Sequence, residues 1–132
     1  LPEYASVVLA GDDDDPLSDG LITMEEWLSL RLNSDLTLLS ACSTAIGKVV
    51  NGDGLVGLSY ALFVAGNANT IVTLWPVSDR ETAHFVDRFF AHIKGGLTHS
   101  KALAATKREF MQHVNPKLRD PRYWSSFVLF GA

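Results

Sequence analysis

Asp35-Leu36-Thr37-Leu38-Leu39-Ser40-Ala41-Cys42-Ser43-Thr44-Ala45 is the stretch on which the reading of this chain turns. Leu36 to Leu39 is almost wholly apolar, which suits a short strand buried on both faces of a mostly parallel sheet. Ser40 to Thr44 carries only small side chains, so the backbone can turn tightly and present Cys42 at the strand's carboxyl end, where open α/β sheets bind ligands. A thiol in that position becomes a nucleophile when a base or a positive dipole lowers its pKa. The competing reading is plainer: free Cys is often a small buried hydrophobe.

Outward from this stretch, strand and helix signals alternate. Ala5 to Ala10 is a short β-branched run ended by Gly11, read as a strand. Asp12 to Asp15 is an acidic run before Pro16, read as a solvated loop. Asp15, Asp19, Gly20, Ile22, Thr23 and Glu26 fall at positions 1, 5, 6, 8, 9 and 12 of a calcium-binding loop, but Leu17 stands where position 3 needs a ligand oxygen. Thr23-x-x-Glu26 accounts for the same residues as a capping box opening a helix from Met24 to about Leu32.

Beyond Cys42, Gly54 to Ala65 reads as a helix ended by Gly66, apolar around most of its circumference and so expected to be deeply buried. Gly52-x-Gly54-x-x-Gly57 satisfies a dinucleotide-binding pattern, yet about ten residues separate these glycines from the strand they should follow immediately. Thr70 to Trp75 is the next strand, stopped by Pro76. Ser78-x-x-Glu81 reads as a second capping box, and Ala83, Val86, Phe89, Phe90 and Ile93 as the apolar stripe of the helix it opens. After Gly95-Gly96, Thr98 or Ser100 caps a helix to about His113 with Leu103, Phe110 and Val114 facing inward. Asn115 to Arg122, with two prolines and four charged residues, reads as an exposed connector, and Phe127 to Gly131 as a closing strand. The alternation implies an α/β fold, layered α/β/α with a mainly parallel sheet.

The segments Leu39-Ser40-Ala41-Cys42-Ser43-Thr44-Ala45-x-Gly47, Gly52-Asp53-Gly54-Leu55-x-Gly57-Leu58, Thr73-Leu74-Trp75-Pro76-Val77-Ser78-Asp79, Arg80-x-Thr82-Ala83 and Tyr123-Trp124-x-x-Phe127-Val128-Leu129-x-Gly131 together resemble the CHAT family. These are caspase-like cysteine peptidase domains related to separase and often attached to tetratricopeptide repeats, and the likeness covers nearly the whole chain. CHAT relatives often carry an Asp-Gly-Leu-x-Thr-x-Glu-Glu segment like that at Asp19 to Glu26, which favours the helix cap over calcium.

The resemblance implies a caspase-like three-layer fold and a cysteine endopeptidase acting on a protein or peptide substrate. Cys42 matches the nucleophile, its backbone N–H one oxyanion donor, and Trp75 and Asp79 the segment that forms the specificity pocket. An acid near Asp79 faces a basic substrate side chain in separase-like relatives, which suggests cutting after Arg or Lys. The plainer alternatives are a core role for Trp75 and a helix-dipole role for an acid in the first turn at Asp79.

The family's catalytic His lies upstream in a His-Gly motif, and no such pair occurs here. His84, His92, His99 and His113 all follow Cys42 and read as helix-rim residues or neighbours of a cap. With its start at Leu1-Pro2-Glu3, residues 1–132 read as the C-terminal portion of one CHAT domain, lacking its N-terminal elements and inactive alone. Surface left uncovered by such a division would drive self-association. Two other readings stand beside the peptidase: a non-catalytic interaction or signalling module on the same fold, and, more distantly, a nucleotide-binding α/β domain.

Composition narrows the partners. A length of 132 residues, 47% hydrophobic and 20% charged, is that of one ordinary globular domain. A net charge of −4 and a pI near 5.4 give no basic footprint for nucleic acid. The single cysteine allows no internal disulfide and no CxxC metal site, and suits a reducing compartment such as the cytoplasm. Leu55 to Gly66 is far shorter than the roughly 20 residues that span a bilayer. No membrane segment, metal or cofactor is expected.

Overall fold

The computed structural model describes residues 7–8, 20–40 and 53–131. Of the expected strand over Ala5 to Ala10, Val7–Val8 is seen as β1. It pairs antiparallel with β2, Leu21–Ile22, in the register Val7↔Ile22 and Val8↔Leu21. The reading of the sequence had no strand at β2.

Helix α1, Met24–Ser29, opens as its capping box requires: the Thr23 hydroxyl accepts from the Glu26 N–H at 3.3 Å, and Glu26 Oε2 accepts from the Thr23 N–H at 2.7 Å. The helix stops short of Leu32 because Leu30 is extended, its N–H returning to the Glu26 and Trp27 carbonyls. With Glu26 committed to the cap and Ile22 in a strand, these two calcium-loop positions have structural roles; Asp15 and Asp19 lie outside the described residues.

Helix α2, Asp53–Val64, connects β3, Thr37–Leu39, to β4, Thr70–Thr73. Gly57 lets α1 and α2 approach, since a Cβ there would meet Met24 Cε at 3.1 Å. That is a packing role for one glycine of the dinucleotide-like pattern, whose first member, Gly52, lies outside the described residues. Gly66 ends the helix at φ 99°, with Asn67 N–H donating to the Leu62 carbonyl at 2.9 Å. Contrary to the expectation of deep burial all round, α2 buries Leu58, Ala61 and Leu62 but exposes Val56, Tyr60, Phe63 and Val64.

Strands β3 and β4 are parallel, with Leu38 beside Ile71, whereas β5, Phe127–Phe130, runs antiparallel to β4, with Leu129 beside Ile71. The described three-stranded sheet, ordered β3-β4-β5, is therefore mixed rather than mainly parallel. At its start Asn67 ties the parallel pair together: its amide donates to the Asn69 carbonyl and Thr70 Oγ1 at 2.7 and 2.8 Å and accepts from Thr37 Oγ1 at 2.8 Å.

One sheet face presents Leu36, Leu38, Ile71, Phe127 and Leu129 to α3, Asp79–Lys94, and α4, His99–Met111. Phe85 lies at the centre, stacked on Phe127 at 3.9 Å and 4° and tilted against Phe110 at 5.2 Å. The inward line of α3 is thus Glu81, Phe85 and Phe89, spaced at i, i+4 and i+8. Of the expected stripe, Phe89 is buried and Ile93 packs against the core, but Ala83 and Phe90 are exposed and Val86 is half-buried. On α4, Leu103 and Phe110 are buried as expected, but Val114 lies past the helix end and is 93% exposed.

Candidate active site at the carboxyl edge of the sheet

Because β3 and β4 are parallel, their carboxyl ends lie at one edge, where α/β sheets bind ligands. Leu39-Ser40 leaves β3 there, and Leu74-Trp75-Pro76 leaves β4. Cys42 follows Leu39 by three positions in the sequence and lies outside the described residues.

Strand β4 ends at Thr73, two residues sooner than expected. The Leu74 N–H still reaches the Ser126 carbonyl at 2.9 Å, but Trp75 leaves the sheet. Its indole N–H donates to the Arg122 carbonyl at 3.0 Å, and the residue is 38% exposed, so Trp75 is not a core tryptophan. With its one donor engaged, the side chain offers the edge an apolar ring.

Ser78 is the N-cap of α3 in extended conformation, and Asp79, exposed, is the first helical residue. There a carboxylate meets the positive end of the helix dipole and is also open to a cationic group from solvent. The second capping box does not form: Ser78 makes no side-chain cap. Its intended partner, Glu81, is instead drawn into the core side of the helix, with a side chain 6% exposed, and accepts from Lys117 Nζ at 2.8 Å. That hydrogen bond holds the Glu81 carboxyl below the usual carboxylate range, and the same bond raises Lys117.

Lys117 and Arg122 belong to the connector, which is more ordered than an exposed loop. Two 3-10 turns, Pro116–Arg119 and Pro121–Tyr123, are capped by Asn115 and Asp120, whose side-chain oxygens each accept a backbone N–H at 3.0 Å. Leu118 is buried in the core. The sequence reading missed this contact. Its one available signal was an acid, Glu81, in register with Phe85 and Phe89, since a carboxylate on a core line needs a cation to meet it.

The histidines have partners elsewhere. His92 Nε2 lies 2.8 Å from Glu109 Oε1, while Arg88 grips the same carboxylate at 2.9 and 3.0 Å and holds its pKa down. His84 packs on Phe110 at 5.2 Å and edge-on to His113 at 5.6 Å, and His113 Nδ1 accepts from the Asn115 N–H. His99 Nε2 is 3.3 Å from Asp35 Oδ2, at the amino end of β3 and thus opposite the candidate edge. Among the described residues no group of three or more His, Cys, Asp or Glu side chains could hold a metal ion, and no helix is long and apolar enough to cross a membrane.

The sequence profile described as "CHAT domain" matches residues 2–132. Two relatives are both named Tetratricopeptide repeat protein 28. The one from Mus musculus is 34% identical over 132 residues, all of this chain and 5% of the relative. The one from Homo sapiens is 29% identical over 120 residues, 91% of this chain and again 5% of the relative. The chain thus spans about a twentieth of the length of these relatives. A match over nearly every residue, joined to the Cys42, Trp75-Pro76 and Tyr123-Trp124 segments it encompasses, shows that this chain belongs to the CHAT domain family.

Proposed function

We propose that this chain is the nucleophile-bearing portion of a caspase-like cysteine endopeptidase, on a three-layer α/β/α fold. The supporting observation is the parallel register of β3 and β4, by which the segment leading to Trp75 and Asp79 leaves the sheet at the same edge as Ser40, two positions before Cys42 in the sequence. In this reading the Cys42 thiolate attacks the scissile carbonyl, and a histidine from the upstream part of the domain returns the proton to the departing amine. Water then hydrolyses the thioester and frees the thiolate. Trp75 supplies an apolar wall, and Asp79 selects Arg or Lys before the cut through a charge-assisted contact. By analogy with relatives named for tetratricopeptide repeats, such repeats in the same polypeptide would control access to the substrate.

The pH dependence of Cys42 alkylation tests this, because the chain has one thiol to report. An unperturbed thiol titrates near pH 8.5. The expected result is an alkylation midpoint well below that in a chain extended upstream to include a His-Gly motif, but not in residues 1–132 alone. The extended chain should also cleave peptides after Arg or Lys, and Cys42→Ala should abolish that cleavage. An unshifted midpoint in both chains, with no cleavage, would remove the peptidase reading.

A non-catalytic interaction module, associating with itself or with another protein, is the second reading. It is favoured by the apolar residues α2 exposes: Val56, Tyr60, Phe63 and Val64 are 49–67% accessible.

A further inference from the structure

The loop that carries Trp75 is held on both flanks by a single segment. On its β4 side, the Trp75 indole donates to the Arg122 carbonyl. On its α3 side, Glu81 accepts from Lys117. Lys117 and Arg122 are both in the connector 115–123, so one body touches the strand exit and the first helical turn together. Internal contacts stiffen that body: Asp120 Oδ2 takes the Arg122 guanidinium at 2.6 and 3.0 Å, the Trp124 indole donates to the Arg119 carbonyl at 3.1 Å, and Lys117 Nζ stands 5.4 Å from the Tyr123 ring centroid.

Stability alone gives little reason for this arrangement. An apolar residue at 81 would extend the line of Phe85 and Phe89 without desolvating a carboxylate, and replacing an ion pair by well-packed apolar groups is often neutral or stabilising. What a directional pair adds is register, because Lys117 Nζ is paired at 2.8 Å with the one acid of α3 that lies on its buried line, Glu81.

We propose that Glu81 and Lys117 are positioning residues for the candidate site: their ion pair docks segment 115–123 so that the Arg122 carbonyl fixes the Trp75 ring and the segment forms the second wall of the substrate groove. The clamp stands on the contacts alone. The groove it shapes rests on the peptidase reading above.

The test is hydrogen exchange of the tryptophan indole N–H groups, followed by NMR, with the Trp75 signal assigned through Trp75→Phe. Glu81→Gln and Lys117→Met should each speed exchange at Trp75 by about three- to tenfold, the factor for one net hydrogen bond. Trp124, whose partner Arg119 lies within the segment, should be unchanged, and Lys117→Arg should stay near wild type. An unchanged Trp75 rate would overturn the clamp. So would equal acceleration of Trp75 and Trp124, which marks general loosening. In the full-length protein, Lys117→Met should raise KM for a peptide by a similar factor with kcat nearly constant, and an unmoved KM would overturn the groove wall. Should wild-type protein cleave no peptide, the peptidase reading falls, while indole exchange still decides the clamp.

Discussion

Phe85 and Phe90 lie on one helix and carry the same ring, yet their removal should have very different consequences. Phe85 is 1% exposed, stacked flat on Phe127 at 3.9 Å and tilted against Phe110 at 5.2 Å. Phe85→Ala empties the junction of α3, α4 and β5, and deleting a fully buried Phe costs about 3–5 kcal/mol. That is a large share of the roughly 5–15 kcal/mol available to a domain of this kind. Phe90 is 40% exposed and meets Phe89 edge-on at 5.3 Å. Its truncation leaves a surface notch that water can fill, and the apolar area lost corresponds to roughly 1–2 kcal/mol. With a urea slope of about 2 kcal/mol/M, the denaturation midpoint should fall by about 2 M for Phe85→Ala and by less than about 1 M for Phe90→Ala. Equilibrium urea unfolding followed by circular dichroism reads both. The inward line of α3 would be misassigned if Phe90→Ala moved the midpoint as far as Phe85→Ala does.

Acid should weaken the α3–α4 contact in a defined direction. Arg88, by its hydrogen bond, holds the Glu109 carboxyl below its unfolded value, so the stabilisation is present above the unfolded pKa and lost as pH falls through the folded one. Glu109→Gln should therefore flatten the acid limb of a thermal-denaturation profile, and an unaltered limb would contradict the assignment. Gly66→Ala should destabilise by at least about 2 kcal/mol, because Gly66 has φ 99° and an added Cβ would press on the Leu32 carbonyl oxygen. The check is the same urea titration, and a neutral substitution would mean that the end of α2 is not built this way.

Local signals carried much of this fold. The capping box at Thr23 and Glu26 was readable because its two hydrogen bonds span three residues and need no partner from elsewhere. The ends of α2 at Gly66 and α3 at Gly95 followed from glycine positions, and β4 and β5 from apolar, β-branched and aromatic runs. Where the reading failed, a distant residue was involved. Ser78 and Glu81 match a capping box as well as Thr23 and Glu26 do, but Lys117, 36 positions away, takes the carboxylate. A mixed sheet was also hidden, since strand direction depends on how the chain returns and not on the composition of Phe127 to Phe130.

The candidate site divides the same way. Sequence by itself determined the family, the single thiol, and the succession of strand, small-residue turn and Trp-Pro segment that marks residues 37–79, because these are properties of order along the chain. Tertiary structure alone decided that Trp75 leaves the sheet for the Arg122 carbonyl, that Glu81 faces inward to Lys117, and that His99 belongs to the opposite end of β3. The reason is that a periodic pattern leaves the rotation of a helix about its axis uncertain by a fraction of a turn. Only the packing of Phe85 against Phe127 and Phe110 sets that rotation, and with it which acid is buried and which is exposed.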